Sequence, residues 1–151
     1  MIIRPALPDE SPALHALAVR SKAHWGYDAA FMARAAPALA LRPDQFAAGR
    51  VLVAEGAGGL VGVAAVLPPD GEGVAEIDQL FVDPPAMGRG IGRALLLAAL
   101  DLARAEGARA VRLLSDPQAR PFYERHGFRH VADAPSDAIP GRMLPLMLRT
   151  I

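Results

Sequence analysis

No cysteine occurs among the 151 residues. Disulfide frameworks, thiolate metal sites and cysteine nucleophiles are therefore excluded. Lysine is almost missing too: Lys22 stands alone among 16 Lys and Arg residues, so a Walker-type phosphate loop with its G-K-[ST] ending cannot be built. An excess of either charge is also lacking, since 16 basic residues meet 16 acidic ones. Without a basic field, nucleic acid is not an expected partner. The longest apolar run, Ala94 to Leu100, falls far short of the ~20 residues that cross a bilayer. Met1-Ile2-Ile3-Arg4 lacks the charged-then-apolar plan of a signal peptide. A soluble, cytoplasmic protein with no membrane partner is the expectation. No histidine and carboxylate spacing suggests a metal, and His15, His126 and His130 read as surface residues. Aromatics are few, which makes the single Trp25, two residues from Tyr27, conspicuous.

What the chain does hold is glycine in one telling place. Met87-Gly88-Arg89-Gly90-Ile91-Gly92-Arg93 lies between a strand-like run, Glu76 to Val82, and an apolar helix expected over Arg93 to Glu106. Glycines at alternate positions let the backbone bend without Cβ clashes and leave N–H groups facing one way. The following helix adds its unpaired first-turn N–H groups and positive dipole end. Together they suit an anion, most naturally phosphate. A dinucleotide fingerprint, G-x-G-x-x-G, fails because Arg93 falls on its third glycine. By spacing alone, a connecting turn and a phosphate cradle remain equally open.

In chain order, Ile2 and Ile3 form a short strand, and Asp9 or Ser11 caps a helix bearing Leu14, Leu17, Ala18 and Val19. Residues 21–28 break that pattern, and Asp28 caps a second helix through Phe31 and Met32. Residues 41–49 are expected to be a polar connector. From Val51 the period changes to that of strands: 51–55 and 60–67 form a hairpin about Gly56 to Gly59, and 74–82 follows a second turn. After the glycine loop and its helix, Gly107 serves as a left-handed cap. A strand at 109–114, a helix at 118–126 closed by Gly127, a strand at 128–132 and a last strand at 143–148 complete the pattern. One α+β domain over residues 1–151 is expected, with a mixed, mostly antiparallel sheet of six to seven strands and about four helices.

This order resembles the GNAT superfamily of acyl-CoA-dependent N-acyltransferases. Leu80-Phe81-Val82-Asp83-Pro84, followed by Gly88-Arg89-Gly90-Ile91-Gly92-Arg93, is similar to the family's acetyl-CoA motif, Q/R-x-x-G-x-G/A. Asp116 to Phe128 is similar to its second motif, ending F-Y-x-x-x-G-F about thirty residues on. Met87 departs from the first motif's Gln or Arg, so a side-chain contribution to the pyrophosphate is lost there, while the backbone donors remain. The resemblance implies acetyl transfer from acetyl-CoA to a primary amine of a small molecule or peptide, by direct attack in a ternary complex. The alternative is a non-catalytic acyl-CoA-binding or regulatory module of the same fold. Dimers are common in the family, so the resemblance allows a homodimer, with the last strand to serve it.

The same resemblance assigns expected roles. Met87, Gly88, Arg89, Gly90, Ile91, Gly92 and Arg93 would hold the pyrophosphate, with Arg89 and Arg93 equally readable as solvated helix-end residues. Leu80, Phe81 and Val82 would offer backbone to the pantetheine arm, and Asp116, Ala119 and Phe122 would line the cofactor. Asp116 before Pro117 is also a plain helix-start signal. An amine near pKa ~10.4 must lose a proton before it attacks. Glu76 and Asp78, two apart on a strand and so on one face, are the candidate bases, Glu76 first because it stands eleven residues before Met87. A solvated strand face, or attraction of a cationic acceptor, accounts for them as well. Tyr123 occupies the family's general-acid position, where a phenol can donate to a thiolate; packing beside Phe122 and Phe128 is its other reading. His24, Trp25 and Tyr27 would border the acceptor, or else anchor the core, and Arg142 would clamp a substrate carboxylate, or else lie free on the surface.

Overall fold

The computed structural model describes residues 1–151. Its elements run β1 (Ile2–Pro5), α1 (Ser11–Ala23), α2 (Ala29–Ala35), β2 (Val51–Gly56), β3 (Gly59–Leu67), β4 (Val74–Val82), α3 (Ile91–Ala105), β5 (Ala110–Leu114), α4 (Arg120–Arg125), β6 (Arg129–Pro135) and β7 (Met143–Thr150), with short 3-10 turns between some of them. The seven strands form one sheet in the order β1-β2-β3-β4-β5-β7-β6. Every pairing is antiparallel except β4 with β5. No helix is long and apolar enough to cross a membrane.

Helices cover both faces of the sheet centre, which is why β2 and β3 are nearly continuous apolar runs rather than alternating ones. Val51, Val53, Val63 and Ala65 pack with Leu14 and Leu17 of α1. Their neighbours Leu52, Ala54, Ala64 and Val66 pack with Leu95, Leu96, Ala99 and Leu100 of α3. The end of α3 follows from its sequence: Gly107 has φ +89°, its N–H donates to Arg104 O, and the Ala108 N–H donates to Ala103 O. That double bond pattern closes the helix as the glycine signal foretold.

Two expectations are corrected. α3 begins at Ile91, not Arg93, because Gly90 in the left-handed region (φ +80°) makes the turn and Gly92 is already helical. Residues 41–49 are no polar connector: Leu41 and Gln45 are buried, Phe46 packs on the α1 side, and Pro43–Gly49 forms 3-10 turns. Gln45 is drawn inside by two bonds, accepting from the Arg42 N–H and donating to Asp78.

β4 departs from regularity twice, and both departures make the site. Opposite β3, the register passes from Ala65 with Gln79 to Val66 with Ile77, so Asp78 is the extra residue of a β-bulge. The bulge inverts the strand's alternation. Ala75 and Ile77 face α3, whereas beyond the bulge Leu80 and Val82 face α3 and Phe81 faces α1. On the other edge, β4 pairs with β5 only at Val74, Ala75 and Glu76. Past Glu76 the two strands part, and a wedge opens between them.

Candidate active site

The glycine loop closes one end of that wedge. Gly88 and Gly90 both have φ +80°, and a Cβ on either would meet nothing within 4 Å, so the loop's hollow is open. Apart from Met87, whose N–H reaches Pro84 O, the loop's N–H groups are unpaired. The N–H groups of Gly88, Arg89, Gly90, Ile91, Gly92 and Arg93 bond to no backbone oxygen, the first helical bond being Ala94 N–H to Gly90 O. Six consecutive free amides at a helix N-terminus form an anion cradle with partial positive charge. α3 also lacks a side-chain cap that would fill it.

Strand β4 supplies the next surface. Asp83 N–H bonds to Val61 O on β3, so by strand alternation Leu80 and Val82 turn their N–H and C=O groups away from β3, toward the wedge. A cleft of about 640 Å³ runs along this edge. Its lining includes Leu80, Phe81, Val82, Met87, Gly88, Gly90, Ile91, Gly92, Arg93, Asp116, Ala119, Phe122 and Tyr123. An anion cradle, a free β-edge and mostly apolar walls suit a long, thin ligand with a phosphorylated end.

Tyr123 comes from α4 and is 8% exposed. Its ring meets Phe122 and Phe128 edge-on, at centroid distances of 5.2 and 5.7 Å. Its packing and its place on the cleft wall are thus both true at once. Burial, reinforced by the charge of Asp116, pushes the phenol well above the ordinary tyrosine range. No protein group bonds its hydroxyl, yet Gln79 Oε1 is the one enclosed side-chain polar atom without a partner, so the hydroxyl is open to the cleft.

The two candidate bases differ in what holds them. Glu76 faces Arg112 across the parallel pairing and accepts from its Nε at 3.0 Å. Arg112 in turn reaches Asp70 at 3.1 Å. Asp78, on the bulge, accepts one bond from Gln45 Nε2 at 2.9 Å and lines both the large cleft and a smaller cavity of about 180 Å³ beside it. Gln79 turns to the same face, donating to Leu39 O at 2.8 Å.

Beyond them lies a polar cluster. Tyr27 donates to Asp116 Oδ2 and accepts from Arg142 Nη2 at 2.7 Å. Lys22 Nζ stands 3.6 Å and Arg142 Nη2 3.5 Å from that same carboxylate oxygen. Burial draws the Lys22 ammonium below its ordinary range, Asp116 opposing the shift and Arg142 adding to it. Burial and the bond to Asp116 raise Tyr27.

The acetyltransferase (GNAT) family model matches residues 13–128. The chain belongs to this family. Among its GNAT relatives, the glucosamine 6-phosphate N-acetyltransferase of Trypanosoma brucei brucei is 39% identical over 59 residues, covering 39% of this chain and 40% of that protein. The mycothiol acetyltransferase of Beutenbergia cavernae is 42% identical over 89 residues, covering 57% of this chain and 30% of that protein. The chain thus spans well under half the length of these curated relatives. The fold is similar to that of the PaiA N-acetyltransferase from Thermoplasma acidophilum in complex with coenzyme A, with TM-score 0.76 and 18% identity over 99% of this chain and 98% of that one.

Within this GNAT frame, most of the residues picked from sequence converge on the cleft, but not all. Arg89, His24 and Tyr27 line neither cavity, Tyr27 reaching the site only through its bond to Asp116. Trp25, 40% exposed, stands on the cleft wall rather than in the core. Arg142 meets Tyr27 and Asp116 instead of lying free on the surface. Lys22, Gln45 and Gln79 also belong to the site, though none falls in a motif. Only Lys22 carried a signal, as the sole lysine of the chain.

Proposed function

We propose that the chain is an acetyl-CoA-dependent N-acetyltransferase acting on a primary amine. The observation that carries this is the row of six free amides, Gly88 to Arg93, opening on the wedge where β4 leaves β5. Those amides and the α3 N-terminus would hold the pyrophosphate, with Arg93 adding charge at the rim. The turned-out backbone of Leu80 and Val82 would pair with the amide-bearing arm, between Met87, Ala119, Phe122 and Asp116. Acetyl-CoA supplies the activated acyl thioester.

The chain's own groups handle the protons. Asp78 is the better-placed base, directly or through a water, because it borders both cavities while the Oε1 of Glu76 is occupied by Arg112. Glu76 then draws a cationic acceptor inward. The Tyr123 hydroxyl, protonated at neutral pH as any phenol is, donates to the leaving sulfur. The bound ammonium first gives a proton to Asp78, directly or through a water; as the nitrogen–carbon bond forms and the carbon–sulfur bond breaks, Tyr123 gives its proton to the departing sulfur and is restored by the second proton that leaves the nitrogen. No covalent enzyme adduct is involved.

The test is acetyl-CoA-dependent thiol release across small amines, polyamines, amino acids and peptide N-termini. Release with at least one acceptor, with the acetylated amine identified by mass, is the expected result. A protein that coenzyme A stabilises but that releases no thiol with any acceptor would be an acyl-CoA-binding module instead. A protein that coenzyme A does not stabilise would remove the cofactor site itself.

A further inference from the structure

The smaller cavity adjoins the large cleft through Lys22, Leu39, Ile77, Asp78, Leu114 and Leu144, which line both. At about 180 Å³ it is smaller than the ~300–1,000 Å³ typical of sites for drug-sized ligands, so it admits only a small acceptor or one residue of a larger one. Its charges are arranged by element. Glu76 and Asp78 come from β4, while Lys22 comes from α1 and Arg142 from the turn before β7. Asp137, at the exposed loop end, adds a third carboxylate to the lining.

The cation side is held more firmly than a chance surface pair. The Lys22 and Arg142 side chains are 15% and 18% exposed, and both lean on the single carboxylate of Asp116, itself 11% exposed. Both cations share Asp116 as their one directly paired carboxylate, so this side of the cavity is locally positive and faces the carboxylates of β4 across it. Tyr27 and Phe31, stacked at 4.0 Å, brace both cations: Lys22 Nζ is 5.4 Å and Arg142 Cζ 5.2 Å from the Tyr27 ring centre. Arg142 uses Nη2 on Tyr27, and its Nε and Nη1 bond to nothing in the protein.

We infer that this cavity takes the acceptor as a small amine bearing its own carboxylate, with Lys22 and Arg142 on the carboxylate and Asp78 and Glu76 on the ammonium. The inference rests on the acetyltransferase proposal and narrows its acceptor to amino-acid-like molecules. Having cations from α1 and the pre-β7 turn, and carboxylates from β4, orients such a molecule with its nitrogen toward Asp78, the one carboxylate of the smaller cavity that also borders the large cleft.

The experiment compares kcat/KM for α- and ω-amino acids with their decarboxylated amines, their amides and O-phosphoethanolamine, each referred to the concentration of neutral amine. Thermal stabilisation by coenzyme A is measured in parallel. The expected result is an advantage of about tenfold to a hundredfold for at least one amino acid over its decarboxylated amine, the range for a charge-assisted contact. Lys22→Met and Arg142→Met, which keep the side-chain bulk on Tyr27, should each cost that amino acid about tenfold more than they cost its decarboxylated amine, chiefly in KM. Decarboxylated amines or the phosphate ester turned over as well as every amino acid, by a protein that coenzyme A stabilises, would overturn the inference and leave the transferase proposal standing. Failure of coenzyme A to stabilise, with no thiol release, would remove both.

Discussion

At the scale of single residues, Tyr123 combines a buried ring with a hydroxyl that no protein group claims. Replacing it with Phe keeps the edge-on packing against Phe122 and Phe128 and removes only the proton donor. Tyr123→Phe should therefore lower kcat by about 10²-fold or more with little change in coenzyme A affinity, as for a lost general acid; equal turnover in steady-state assays would exclude Tyr123 as sole acid. The same residue governs alkaline stability. Burial holds its pKa above the unfolded value of ~10, so the unfolded chain loses this proton first. Its share of stability is whole below about pH 10 and declines as pH rises beyond it, by up to about 1.4 kcal/mol per pH unit. Tyr27 is raised as well, so the wild type carries two such groups. Denaturant unfolding of Tyr123→Phe at pH 8 and above pH 10 should show a shallower alkaline loss than wild type.

Gly62, on β3, is a quieter constraint. A Cβ there would lie 2.7 Å from Leu95 Cδ1, 3.2 Å from Ile91 Cγ2 and 3.2 Å from Phe81 O. Gly62→Ala should destabilise by about 1–3 kcal/mol, read as a lower denaturation midpoint. Nothing in a Val-Gly-Val strand announces this, because the clash is with a helix thirty residues on. Tyr123 and the glycine loop were legible because their chemistry is local to a motif. The Lys22, Asp116 and Arg142 cluster was not, because its members lie 94 and 26 residues apart in the chain and meet only through the fold.

At the scale of elements, the bulge at Asp78 decides which side chains line the cleft. Alternation read straight through 74–82 gives one inward set, whereas the extra residue exchanges the sets, so that Leu80 and Val82 join Ile77 on the α3 face. No residue of β4 marks the bulge, since it is a relation between two strands. The hairpin at Gly56 to Gly59 and the glycine closures after α3 and α4 were plain because glycine acts within a few residues, whereas the start of α3 was placed two residues late. The buried turn at 43–49 was hidden because Leu41 and Phe46 follow neither a helical nor a strand period. The N-terminal turn of α3 gives a direct element-level test. Without ligand, the amides of Gly88 to Arg93 should exchange with deuterium rapidly, while those of Leu95 to Ala103 exchange slowly; coenzyme A should protect the first group specifically. Unchanged exchange in the loop would place the ligand elsewhere.

At the scale of the whole molecule, the expected mixed sheet with about four helices is the one observed, and seven strands complete it. The order of elements fixed that architecture, because each apolar face needs a partner layer and few arrangements supply it. Ligand linkage acts at this scale too. A hundredfold excess of coenzyme A over its Kd should add about 2.7 kcal/mol to folding. At about 2–4 °C per kcal/mol for a domain of this size, the thermal midpoint should rise by several degrees. Scanning calorimetry with and without coenzyme A measures this, and an unmoved midpoint would count against binding.

The parting of β4 from β5 also has a mechanical side. Three residue pairs stitch the four-stranded half of the sheet to the three-stranded half, whereas β3 and β4 share six and β5 and β7 share five. Tension drawn across the strands concentrates at that seam, so the molecule is built to tear where it is built to bind. A ligand lying in the wedge adds cross-links between the halves, and single-molecule pulling on either flank would feel it as a stiffer joint.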